Sequence, residues 1–146
     1  LVLSEMAYRI AAPAAWADRI RDADWERIAQ MPWVLPPDSS LIHRQIRALF
    51  REHGAELTTH VAADTEGVLA NLVESGVGLS LMREDLALEK ARAGLVAVWP
   101  RMRVATQLRF IFLRERAHDP AIAALCDVLR EVWSLAPILP EQVAPA

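Results

Sequence analysis

Short apolar runs, each stopped by a breaker and followed by a helix signal, are what most constrain this chain. Met31-Pro32-Trp33-Val34-Leu35 is closed by Pro36-Pro37, Val77 to Met82 follows Gly76, and Leu95 to Trp99 follows Gly94. Between them, apolar residues recur at helical spacing. The segment after Ser39-Ser40 carries Ile42, Ile46, Leu49, Phe50 and His53 until Gly54 stops it, and the segment after Asp64-Thr65 carries Val68, Leu69, Leu72 and Val73 until Gly76. A strand that reaches its parallel neighbour through a helix needs a crossover, and repeated crossovers cover both faces of the sheet. The expected fold class is therefore α/β, a three-layer, mainly parallel sheet flanked by helices.

The remaining segments extend that pattern. Leu1 to Ala12, stopped by Pro13, reads as an opening strand, and Trp16 to Ala29 as one or two short helical turns with Asp24 as a cap. Glu56 to Ala62 reads as a strand, and Gly78 implies a close approach of backbone or helix. Glu84 to Ala93 is partly helical. Thr106 to Leu113 reads as a central strand, because Leu108, Phe110, Ile111 and Phe112 are too apolar to face water on both sides. Asp119-Pro120 opens a last helix with Ile122, Leu125, Cys126, Leu129, Val132 and Trp133 on one face, which places Cys126 in the core. The three prolines after Ala136 predict a loosely ordered tail over 135–146.

Length and charge remove several functions. A chain of 146 residues with 53% hydrophobic residues has room for one domain with a sizeable core. Its 16 Lys and Arg against 19 Asp and Glu give a net charge of −3, which argues against a nucleic-acid-gripping face in this segment. Charged residues recur throughout, so no apolar run reaches a membrane span of about 20 residues. One cysteine cannot form an internal disulfide, which favours a reducing compartment. Because the chain starts at Leu1 rather than Met, we expect its natural amino terminus upstream.

In open α/β sheets, ligands bind where the carboxyl ends of strands meet helix starts. That rule selects Pro36 to Ser40, Ala63 to Glu66 and Met82 to Asp85. The four histidines, His43, His53, His60 and His118, sit on different elements without metal-ligand spacing, so no metal is expected and surface or helix-end positions suffice. Neither serine lies in a Gly-x-Ser-x-Gly elbow, and no glycine-rich phosphate loop or cofactor fingerprint is present. Asp38, Asp64 and Glu66 serve as caps or loop solvation more readily than as a catalytic pair. His43, Arg44, Arg47 and Arg51 make a basic face, read as the wet side of an amphipathic helix. Ser39-Ser40 either caps its helix or presents the positive helix start to an anionic or polar group. Arg83 either grips a carboxylate or pairs with Glu84 or Asp85.

The order of these features resembles the effector-binding region of LysR-type transcriptional regulators. The resemblance rests on Pro13 after the opening strand and on Met31-Pro32-Trp33-Val34 followed by serines and Arg44-Gln45-Ile46-Arg47-Ala48-Leu49-Phe50. It also rests on Val61-Ala62-Ala63-Asp64-Thr65, on Leu72-Val73-Glu74-Ser75-Gly76-Val77-Gly78-Leu79-Ser80-Leu81, its most specific part, and on the helix ending near Trp133. It spans about residues 1 to 134.

By that resemblance, residues 1–134 are the second lobe of a two-lobed sensor of the type II periplasmic-binding-protein kind, with Leu1 to Ala12 and Thr106 to Leu113 as hinge strands and Pro120 to Trp133 as the closing helix. By the same resemblance, the winged helix-turn-helix and the first lobe are expected to lie outside these residues. The resemblance implies no catalysis and no cofactor, a cytoplasmic location, and a small polar or anionic effector held by Pro37, Asp38, Ser39, Ser40, Asp64, Thr65 and Glu66. The strand-end reading adds Arg83, which stands where the family usually has proline and either tunes the pocket toward an acidic effector or changes a turn. Contact with DNA would come only through the missing domain, none with a membrane, and pairing of copies through Met31 to Leu35 and Leu41 to Phe50. A solute-binding transport lobe, or a small enzyme using Asp38, Asp64 or Glu66 as acid or base, are the alternatives.

Overall fold

The computed structural model describes residues 1–135, without the side chains of Leu41, Thr59 and His60. The stretch expected to be a loose tail lies outside the described residues from 136 onward. The backbone divides into two compact units, one of Ala7–Val104 and one of Leu1–Met6 with the segment from Ala105 onward.

The first strand, β1 (Val2–Pro13), runs through both units. In the larger one it is followed by two short helices, α1 (Ala17–Arg21) and α2 (Trp25–Ala29), then β2 (Trp33–Leu35), α3 (Leu41–Glu52), β3 (Thr59–Ala62), α4 (Glu66–Glu74), β4 (Ser80–Arg83), α5 (Glu84–Arg92) and β5 (Val96–Val98). Asp24 caps α2 by accepting the Arg27 N–H at 2.9 Å. Gly54, Gly76 and Gly94 end α3, α4 and α5 with φ of 71°, 88° and 73°, a conformation that costs a residue with a Cβ but not glycine.

β2 and β3 pair in parallel, and Trp33 bridges Leu79 in parallel at the start of β4. The Val34 N–H donates to the Leu79 carbonyl and the Leu79 N–H to the Pro32 carbonyl, both at 2.8 Å. The parallel crossovers expected from the sequence are thus present, but the sheet is mixed rather than mainly parallel. β1 runs antiparallel to β4, with Tyr8 opposite Arg83, and antiparallel to β5, with Ala11 opposite Val98. The physical reason is connectivity: α5 carries the chain from β4 over to β5, and β1 fills the place between them from the opposite direction.

Each face of this sheet buries its own cluster. Ile10, Trp33, Leu35 and Leu79 pack with Ile20 of α1, Ile28 of α2 and Ile46 and Phe50 of α3, whereas Ala11, Met82 and Val96 pack with Ala70 and Val73 of α4 and Ala87 of α5. The three layers follow from that division. Both large buried indoles are paired, Trp33 Nε1 to the Ile28 carbonyl at 2.9 Å and Trp99 Nε1 to the Ala23 carbonyl at 3.1 Å, so their burial leaves no orphaned donor.

The smaller unit holds β6 (Val104–Arg109) and α6 (Pro120–Val132). β6 pairs with β1, and Leu1 and Phe110 exchange both backbone hydrogen bonds, at 2.8 and 3.0 Å, as residues opposed in an antiparallel pair do. The opening and last strands therefore lie side by side. Two expectations need correction here. The strand at Thr106 to Leu113 is not central: it ends at Arg109, every residue of β6 is exposed, and Ile111 is 83% exposed. The stripe on α6 is not core either, since the helix has no buried residue, Leu125, Val128 and Val132 face solvent, and Cys126 is half-buried. Apolar composition measures the gain from being covered, and the described residues supply no cover for this face. Asp119 does cap α6, accepting the Ala121 N–H at 2.9 Å, with proline at the first position.

Candidate functional site

Because β2, β3 and β4 point the same way, their carboxyl ends share one edge of the sheet. Pro36 to Ser40 leave β2, Ala63 to Thr65 leave β3, and Arg83 ends β4, so the three clusters chosen from the sequence emerge together. The Ala63 N–H donates to the Leu35 carbonyl at 3.1 Å and ties the first two loops. Pro37, Asp38 and Ser39 are exposed, Ser40 is half-buried, and Asp64, Thr65 and Glu66 are exposed.

Ser40 and Thr65 occupy the N-cap positions of α3 and α4, yet neither side chain makes a capping hydrogen bond. The Ser40 side chain therefore does not play the capping role expected for it. The loop is shaped instead by a turn, with the Ser40 N–H donating to the Pro37 carbonyl at 2.8 Å, and by Arg44, whose Nη1 donates to the Ser39 carbonyl at 2.7 Å.

Arg83 and Glu66 come together, with Nη1 4.0 Å from Oε2. The guanidinium fork itself is taken by Asp85, which accepts from Nε at 3.1 Å and from Nη2. Asp85 and then Glu66 hold Arg83 above its usual pKa range, and Arg83 in turn holds the Asp85 carboxyl below its own. Of the two readings open for Arg83, the local ion pair with Asp85 is the one made.

Two residues at this edge escaped the sequence reading. Tyr8, the only tyrosine, lies opposite Arg83 across β1 and β4. Burial first, then the Glu66 carboxylate, raise its phenol pKa, so it stays a hydrogen-bond donor through the physiological range. His43 is the second. It was assigned to the wet, basic face of α3, but it is only 2% exposed, with Nδ1 2.6 Å from the Pro36 carbonyl oxygen and Nε2 accepting from Arg47 Nε at 2.7 Å. His43 lies three residues before Ile46 and seven before Phe50, so helical spacing puts it on their buried face rather than with Arg44, Arg47 and Arg51, and the Pro36 carbonyl satisfies its ring there. His53, by contrast, is exposed at the end of α3 and stacks on Trp25 with ring centroids 3.8 Å apart. Among the described residues, no three His, Cys, Asp or Glu side chains gather as a metal site.

The smaller unit carries a surface pocket of about 440 Å³, lined by Glu5, Ala105, Thr106, Gln107 and Arg109. Arg109 donates to Gln107 Oε1 from Nε at 3.0 Å and from Nη2 at 2.6 Å. No sequence motif marked this pocket, because it forms where β6 meets the start of β1.

The larger unit is thus a three-layer α/β body in which the loops after β2, β3 and β4 gather at one sheet edge. The chain belongs to the LysR substrate binding domain family, whose pattern it matches over residues 2–134. No curated protein matches it by sequence alone. Many solved structures share its fold, among them the following three. The C-terminal domains of a LysR family protein from Agrobacterium tumefaciens superpose with a TM-score of 0.68 at 19% identity, covering 94% of this chain and 68% of that one. The CcmR regulatory domain of Synechocystis, in complex with 2-PG, gives 0.66 at 10% identity, covering 94% and 68%. The HypT regulatory domain of Salmonella typhimurium gives 0.62 at 15% identity, covering 93% of this chain but 65% of that domain, so the chain spans under two thirds of that relative. No described helix is long and apolar enough to cross a membrane.

Proposed function

We propose that this chain is the second lobe, with hinge strands and closing helix, of the effector sensor of a cytoplasmic LysR-type transcriptional regulator. In this reading it binds a small polar or anionic molecule without turning it over. The observation that carries the reading is the shared edge at which β2, β3 and β4 end. There the α3 and α4 starts, left without side-chain caps, offer backbone N–H groups and the positive end of the helix dipole. Pro37, Asp38, Ser39, Ser40, Asp64, Thr65 and Glu66 form the rim, Tyr8 adds a donor, and Arg83 engages an effector carboxylate only by releasing Asp85.

Signalling then needs no covalent step. The effector favours one arrangement of the hinge, and the changed arrangement alters how DNA-binding domains elsewhere in the parent protein sit on their operator. Copies would pair through α3, whose Arg44, Gln45, Ala48 and Arg51 are exposed. The strand half of the expected pairing surface is withdrawn, because β2 is buried between β3 and β4.

The test is titration of 2-PG and a panel of small carboxylates against the chain, followed by amide NMR, with Ser39→Ala, Ser40→Ala and Arg83→Ala variants. Saturable shifts at Asp38 to Ser40 and Asp64 to Glu66, weakened about tenfold by loss of the contacting group, are expected. Unchanged affinity in all three variants removes the site.

A further inference from the structure

The inference rests on the effector reading above and concerns what holds its main loop. His43 stands in the first turn of α3 with both ring nitrogens engaged. Nδ1 lies 2.6 Å from the Pro36 carbonyl oxygen. A carbonyl only accepts, so Nδ1 carries the hydrogen, and in the neutral ring Nε2 is a bare lone pair. That lone pair accepts from Arg47 Nε at 2.7 Å. Yet Nε2 is also 3.1 Å from Asp38 Oδ1, an acceptor on the loop whose side chain is 92% exposed.

Two groups thus face one nitrogen with opposite requirements. Arg47 needs the lone pair; Asp38 needs a hydrogen. With Nε2 unprotonated, the Asp38 oxygen meets a lone pair and gains nothing from the contact. With a second proton, Nε2 donates to Asp38, the pair becomes charge-assisted, and Arg47 loses its acceptor and meets a like charge. Arg44, on the same helix, holds the neighbouring Ser39 carbonyl, so the loop is already tethered on one side.

We propose that His43 is the positioning residue of the effector loop. A second proton on its imidazole exchanges Arg47 for Asp38 at Nε2 and fixes the Pro37–Ser40 turn against the start of α3, so that the order of the loop follows pH. The proton comes from solvent and returns to it; no other bond is made or broken. Because Asp38 lies between Pro37 and the two serines, its capture changes the presentation of the Ser39 and Ser40 groups that an effector meets.

The experiment is a pH titration of the isotopically labelled 146-residue chain by NMR, following the His43 ring nitrogens and the amides of Asp38, Ser39 and Ser40, with no ligand present. The expected result is a ring hydrogen on Nδ1 at high pH and loop amides that shift with the same midpoint as the ring. Asp38→Asn should lower that midpoint and Arg47→Met should raise it, each by about threefold or more in proton affinity. The Trp33 indole signal, fixed by its bond to the Ile28 carbonyl, reports that the variants are folded. A ring hydrogen on Nε2 at high pH, loop amides that ignore the ring, or both variants moving the midpoint the same way overturns the proposal. Titrating 2-PG at both ends of the transition separates the two readings. A responsive loop with no 2-PG binding at either pH upholds the exchange and counts against the effector site; 2-PG binding beside an unresponsive loop does the reverse.

Discussion

Gly78 lies so close to Pro32 that a Cβ built on it would sit 2.6 Å from the Pro32 carbonyl oxygen and 2.9 Å from its carbon. This is where the strand entering β4 locks onto the strand entering β2, through the Leu79 N–H bond to the same carbonyl. Neither backbone can give way without breaking that bond. Gly78→Ala is therefore expected to destabilise the fold by about 1–3 kcal/mol, read as a lower midpoint in urea with unchanged slope. A midpoint equal to the parent's would show that the two strands are less tightly held than described.

Glu84 supplies the pH dependence whose sign is clearest. It accepts from Arg103 Nε at 2.9 Å and from Arg9 Nε at 2.8 Å, and these two cations hold its carboxyl below its ordinary value of 4.5. A carboxyl lowered in the folded state contributes stability that is fully present above its unfolded pKa and is lost as pH falls through the folded one. Acid unfolding profiles of the parent and of Glu84→Gln should diverge above about pH 4.5 and converge below it. Curves that stay parallel down to pH 3 would assign no role to the pairing.

His53 on Trp25 predicts an optical signal. The rings stack at 3.8 Å with 22° between their planes, and Trp25 also meets Phe50 and Trp99 edge-on. Removing the stacked imidazole changes the surroundings of the indole. His53→Ala should therefore change tryptophan emission at a single fixed pH. An emission spectrum identical to the parent's would show that the two rings do not stack in solution.

Asp119 is expected to anchor α6. Arg116 first, then the Ala121 N–H, hold its carboxyl below the usual range. Asp119→Ala should loosen the start of the helix, seen as faster amide exchange at Ala121 to Ala123, and unchanged exchange there would remove the anchoring role.

What could be read in advance follows from how local each cause is. Caps, stops and crossovers depend on a few neighbouring residues, so Asp24, Asp119, the three left-handed glycines and the close approach at Gly78 were legible. The three loops at one sheet edge were legible as well, because parallel β2, β3 and β4 follow from helices placed between strands. Tyr8 was not, since its place opposite Arg83 depends on a register between strands far apart in sequence. The burial of His43 was legible in its spacing from Ile46 and Phe50 and was masked by its polar character; the Pro36 carbonyl that satisfies its ring is a backbone group that the order of side chains does not display. β6 and α6 misled for the opposite reason: their apolar residues showed a need for cover, and the order of residues does not say where the cover comes from.

That uncovered stripe has a practical meaning. Leu125, Val128, Val132 and Trp133, with Ile111 and Leu113 in the same unit, leave oily surface in contact with water. In a tube the chain should behave as a sticky particle, salting out early in ammonium sulfate and adsorbing to hydrophobic resin, whatever the health of its well-packed core.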